Sequence, residues 1–160
     1  PEAQLDRFLL HIRVDYPTEA EERAILPQTT GASSAEVPRA MHGEAVRELQ
    51  KLVREVHMSD DVLSWINQLV RASRPHEKIS KDIENWVKWG AGPRAGQALV
   101  LAAKARALIQ GRFAATKDDV QALAAPVLRH RLLLTFVAEA EQISADDVVA
   151  ALLKIVPFPG

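Results

Sequence analysis

Hydrophobic and polar positions change their period once along this chain. Phe8, Leu10, Ile12, Val14 and Tyr16 alternate with Leu9, His11, Arg13 and Asp15. This is the period-two pattern of a β-strand, and no other stretch shows it convincingly. A lone strand cannot satisfy its ladder hydrogen bonds. Its partners are therefore expected in residues that precede Pro1. Pro17 closes the strand, and Thr18-x-x-Glu21 has the spacing of a capping box that opens a short helix through about Leu26. Residues 28–40, rich in Thr, Gly, Ser and Pro, read as a flexible connection.

Beyond that point the period is helical. Ala45, Val46, Leu49, Leu52, Val53 and Val56 fall on one helical face, and Val62, Leu63, Ile66, Leu69 and Val70 repeat the spacing. Asp60 and Asp61 precede the second set, where carboxylates favour the positive end of a helix dipole. A shorter segment carries Ile79, Ile83, Trp86 and Val87. A long apolar segment then runs from Pro93 through Ile109 and is closed by Gly111; residues 98–103 are apolar on every side, as in a central buried helix. Thr116-x-x-Asp119 opens a helix to about Leu132, and Ser144-x-x-Asp147 opens the last one, ended before Pro157. The fold class implied is mostly α.

Composition narrows the function classes. The 160 residues are 48% hydrophobic and 26% charged, with formal net charge −1. That is ordinary globular composition, and it gives no electrostatic argument for nucleic acid or an anionic membrane. With no cysteine there is no thiolate nucleophile or thiolate zinc site. His11, His42, His57 and His76 lack ligand spacing, so no metal site is expected. No glycine-rich phosphate loop appears within these residues. Trp65, Trp86 and Trp89 read as core and groove fillers.

Three groups of cations are candidates for chemistry. Arg94 follows Pro93, which suits the first helical position. A cation in that first turn opposes the helix dipole, and the arrangement makes sense where an anion docks on the orphan N–H groups and the guanidinium. Gly90 and Gly92 would let backbone approach closely. A surface arginine after an ordinary glycine turn has the same pattern. Arg7 sits where the first residues give way to the strand, a boundary from which functional groups often project; pairing with Asp6 or Glu2 is the structural alternative. Arg129-His130-Arg131 ends a helix, where basic residues are favoured on dipole grounds.

These pieces, in this order, resemble the C-terminal part of a MoxR-type AAA+ ATPase. Four stretches carry the resemblance: residues 1–8 (PEAQLDRF), Tyr16-Pro17 with Glu21-Glu22-Arg23, Gly90-Ala91-Gly92-Pro93-Arg94-Ala95, and residues 127–132 (VLRHRL). The third is similar to the family's Gly-Ala-Ser-Pro-Arg-Ala motif, with Gly92 in place of the commoner Ser. The resemblance implies a helical lid bundle over residues 18–160. Residues 1–17 would be the end of a truncated α/β core that carries one orphan strand. It implies that Arg7 is the arginine finger reaching a neighbouring subunit's nucleotide, and that Arg94 is sensor 2. It also implies ATP and Mg²⁺ as cofactors of the parent, with the phosphate loop and metal-binding motif before Pro1, so that residues 1–160 would not hydrolyse ATP alone. The partners implied are the other subunits of a homo-oligomeric ring, a hexamer, and a client protein of von Willebrand factor A type, in the cytoplasm. A magnesium-chelatase-like AAA+ subunit and a standalone helical interaction or DNA-binding module are the alternative readings.

Overall fold

The computed structural model describes residues 2–32 and 37–159. In chain order the helices are α1 (Glu2–Leu5), α2 (Glu19–Thr30), α3 (Gly43–Glu55), α4 (Asp60–Ala72), α5 (Lys81–Trp86), α6 (Pro93–Ile109), α7 (Lys117–Leu128), α8 (Phe136–Ala140) and α9 (Ala145–Ile155). Two- and three-residue strands join them: β1 (His57–Met58), β2 (Val87–Trp89), β3 (Ala114–Ala115) and β4 (Leu133–Leu134). β1 pairs parallel with β3, and β2 antiparallel with β4. The fold is a mostly α bundle.

α6 is the central helix, packed against α7, α4 and α3. Its inward residues are small: Ala95, Ala98, Ala102, Ala103 and Ala107, with Leu99 fully buried. Alanine combines high helix propensity with close approach, so neighbouring helices pack near the α6 backbone. Trp65, Leu69, Ile83, Val120, Val127, Val148 and Leu152 are among the other core residues. Trp65 is buried completely, donates from Nε1 to the Val156 carbonyl at 2.8 Å and meets Phe158 edge-on.

Helix starts follow the sequence signals. Thr18, Thr116 and Ser144 form reciprocal capping boxes with Glu21, Asp119 and Asp147. Ser59 caps α4, whose first turn carries Asp60 and Asp61.

The strand expected over residues 8–16 is not formed. Residues 10–18 have no regular structure, and Phe8, Ile12, Val14 and Tyr16 are exposed. Alternation shows that a segment suits a pleated surface; a ladder also needs a partner edge, and the four strands among the described residues lie elsewhere. The first long helix runs past Leu26 to Thr30, through Pro27, so the connection is shorter than residues 28–40. Residues 33–36 of that connection lie outside the described residues. α3 forms as its periodicity implies, but Val46, Leu49 and Leu52 on its apolar face remain exposed.

Candidate functional site

Local chemistry at the start of α6 fixes Arg94. Gly90 is required by crowding: a Cβ there would lie 2.4 Å from the Ser73 carbonyl oxygen and 2.7 Å from the Arg74 Cα. Those are backbone atoms, which cannot rotate away. The buried Ser73 hydroxyl donates to the Val70 carbonyl and accepts the Ala91 N–H at 2.9 Å, while Arg74 Nε donates to the Ala91 carbonyl at 3.1 Å. The turn is thereby pinned to the end of α4. Gly92 differs from the expectation, because a Cβ there meets nothing within 4 Å. A serine would fit, so glycine at this position does not alter the turn. Gly92 is the N-cap of α6, Pro93 takes the first turn, and the first turn holds no carboxylate. Arg94 stands in that turn with its side chain 57% exposed.

The end of α7 fixes Arg7. A helix C-terminus leaves unpaired carbonyls, and the N-terminal segment binds to them. The His11 N–H donates to the Pro126 carbonyl at 2.8 Å. Arg131 fans across the same place. Its side chain is only 3% exposed and donates to the Asp6 carboxylate (3.0 Å), to the carbonyls of Asp6 (3.0 Å) and Phe8 (2.6 Å), and to the Val127 carbonyl. His130 Nε2 lies 3.1 Å from the same Phe8 carbonyl and must donate to it. Arg129 donates to the His11 carbonyl at 3.1 Å and to Asp146 at 2.9 Å, and Asp146 also pairs with Arg13 at 3.2 Å. The Arg129–Arg131 turn is therefore a clasp on residues 6–13. Dipole complementarity alone gives no hint of this, because the partners are more than 110 residues away.

The result is that Arg7 and Arg94, far apart in sequence, line one open cleft of about 430 Å³ together with Asp6, Gln97, Leu101 and Arg131. Asp6 pairs with Arg131 and also lies 3.8 Å from Arg94. Two guanidinium groups, Arg131 and Arg94, thus face the one carboxylate, and Arg7 lines the same cleft; exposed guanidinium groups suit polyanionic oxygen ligands. A second cleft of about 450 Å³ adjoins it, lined by Trp89, Gly90, His130 and Arg131. Trp89 is 73% exposed and lines this cleft, so of the two roles read from the sequence it takes the groove rather than the core. Trp86 is half-buried and donates from Nε1 to Glu141 at 2.8 Å. Among the described residues, no group of three His, Asp or Glu side chains could hold a metal. No helix there is long and apolar enough to cross a membrane.

Asp6, Ser73 and Arg74 are site residues that sequence reading does not pick out as participants; Arg131 is a candidate in sequence, but its partners in residues 6–8 are not. Proximity in sequence pairs Asp6 with Arg7; the structure turns its carboxylate to Arg131 and Arg94.

Known proteins share this fold. Residues 79–152 match the AAA lid domain, so α5 to α9, with Arg94 and the clasp, belong to the lid of an AAA+ ATPase. The chain is 34% identical over 160 residues to Chaperone MoxR1 of Mycobacterium tuberculosis, covering 99% of this chain and 42% of that protein. It is 34% identical over 149 residues to Protein MoxR of Paracoccus denitrificans, covering 84% of this chain and 43% of that one. A crystal structure of an ATPase by assignment from Cytophaga hutchinsonii superimposes with a TM-score of 0.89 at 27% identity, covering 100% of this chain and 49% of that one. Over most of its length the chain is similar to MoxR-type AAA+ ATPases. It spans less than half the length of the relatives it matches.

Proposed function

We propose that this chain is the finger-and-lid part of a MoxR-like ATPase that binds and hydrolyses ATP with Mg²⁺ to remodel or mature partner proteins. One observation carries the reading: Arg7 and Arg94 share a cleft and present guanidinium groups beside a helix start with no acidic first turn. Arg7 supplies charge to phosphate oxygens of a neighbouring subunit's nucleotide as the arginine finger, and Arg94 contacts phosphate as sensor 2. The cleft fits that ligand class, because its cations outnumber its single carboxylate. Bound ATP supplies the transferable phosphoryl group; these residues hold and neutralise its charge. The working form is a homo-oligomeric ring, a hexamer, in the cytoplasm, and a client of von Willebrand factor A type accords with the family.

The two arginines should fail differently in the full-length protein. Arg7→Ala should lower ATP turnover by roughly 10³–10⁵-fold while largely sparing nucleotide affinity. Arg94→Ala should also weaken nucleotide binding, because its contact exists in the bound ground state. Lysine at either position should rescue poorly, since an ammonium lacks the planar fork. Mixing tests the geometry across subunits: an Arg7→Ala subunit with an intact nucleotide site should regain activity beside one with an intact finger and a dead phosphate loop. Parental turnover by Arg7→Ala rings would show Arg7 to be structural.

A further inference from the structure

We propose that Arg131, held in place by Asp6, is a positioning residue for Arg7, so that the lid carries the finger. The inference rests on reading Arg7 as the finger.

The geometry is specific. Residues 6 and 8 flank Arg7, and Arg131 binds both: the carboxylate and carbonyl of Asp6 and the carbonyl of Phe8. Backbone on either side of Arg7 is thus tied to a single guanidinium, which is itself nearly buried and anchored to α7 through the Val127 carbonyl. A guanidinium presents five donors in a rigid plane, so one side chain can fix several acceptors in a set orientation. Asp6 lies between Arg131 and Arg94, so the same carboxylate links Arg7's segment to the first turn of α6. Any movement of the lid that shifts α6 and α7 therefore moves Arg7 as well. By chain order Arg7 belongs to the segment ahead of the lid; by hydrogen bonds it belongs to the lid.

A group stabilising transferring phosphate must be placed closely, and a misplacement of about 1 Å can cost about 10²-fold in rate. The test uses ATP and the full-length assembled protein. Arg131→Gln should lower kcat about 10²-fold with little change in KM for ATP. Its loss should not add to that of Arg7→Ala in the double variant, because a misplaced finger and a missing finger are the same defect. Arg131→Lys should recover little, since three ammonium donors cannot reproduce the fan. In hydrogen exchange on the Arg131→Gln protein, the His11 amide should lose protection while α6 and α9 keep theirs. A residue that only supports the lid would instead weaken α6 and α9 as well, or give a loss fully additive with Arg7→Ala. Should Arg131→Gln fail to fold, Asp6→Asn removes an ion pair from the other side of the clasp. A kcat loss there that is non-additive with Arg7→Ala supports the proposal, and parental turnover overturns it. Parental turnover by Arg131→Gln beside an inactive Arg7→Ala overturns the proposal alone. Parental turnover by Arg7→Ala overturns the finger reading and the proposal with it.

Discussion

Gly90 and Gly92 sit two residues apart in one motif yet answer to different physics. Gly90 faces backbone at 2.4 Å, whereas Gly92 faces open space. Gly90→Ala should destabilise the chain by about 1–3 kcal/mol, the usual cost of forcing atoms into a packed site. Gly92→Ser should be neutral or slightly stabilising, since serine is a good N-cap. Urea melts of the two variants check the contrast; equal midpoints would show that the α4–α6 contact yields. Asp119 is the other decisive single residue. It is fully buried, accepts from Arg106 at 2.5 Å and Arg112 at 2.6 Å, and caps α7 through Thr116. Burial pushes its pKa up, but hydrogen bonds from Arg112, the Thr116 backbone and Arg106 outweigh it and hold the carboxyl well below the usual carboxylate range. Asp119→Ala leaves two arginines facing a gap and should cost about 3 kcal/mol, read as a lowered denaturation midpoint.

At the scale of elements, the N-terminal segment divides at residue 11. The His11 N–H is bonded to the end of α7, while residues 12–16 have no regular structure and are largely exposed. Exchange protection should therefore appear at His11 and be missing from 12–16; uniform protection across 8–16 would mean a ladder has formed. The docking should also depend on pH. Burial pushes the His130 imidazole below its ordinary value, Arg131 and His11 add to the effect, and the Phe8 carbonyl and Asp6 oppose it. The docked state thus binds fewer protons at His130 than the released one. Docking should be complete above about pH 6.5, the ordinary histidine value, and weaken as pH falls through the depressed one. The buried Nδ1 has no partner to receive a proton's hydrogen bond. His130→Gln should flatten the pH dependence of His11 protection; an unchanged profile would assign it elsewhere.

For the whole molecule, stability should reside in the bundle from Val56 onward. α2 and α3 bury no residue, whereas α4, α6, α7 and α9 share one core. A chain of residues 56–160 should stay helical and unfold cooperatively by circular dichroism, and residues 1–55 alone should show no cooperative transition. Loss of cooperativity in the shorter chain would show that α3 and the clasped segment are integral to the core.

Much of the fold is legible in sequence because its signals are local. Capping boxes at Thr18, Thr116 and Ser144, the alanine-rich α6 and the Gly90–Arg94 motif each act within a few residues, and each forms where its pattern lies. The two-residue strands are not legible, since two residues carry no period, and α8 is too short to show a face. The alternation at 8–16 is genuine, but a ladder depends on a partner edge, which no local pattern encodes. The sequence by itself offers three groups of candidate cations, and the family resemblance singles out Arg7 and Arg94 among them. Only tertiary structure decided that they share a cleft, that Asp6 faces Arg131 and Arg94, and that the Arg129–Arg131 turn binds backbone more than 110 residues away. Backbone carbonyls have no residue-specific signature, so a side chain that recognises them shows its role only when the fold brings them within hydrogen-bonding distance.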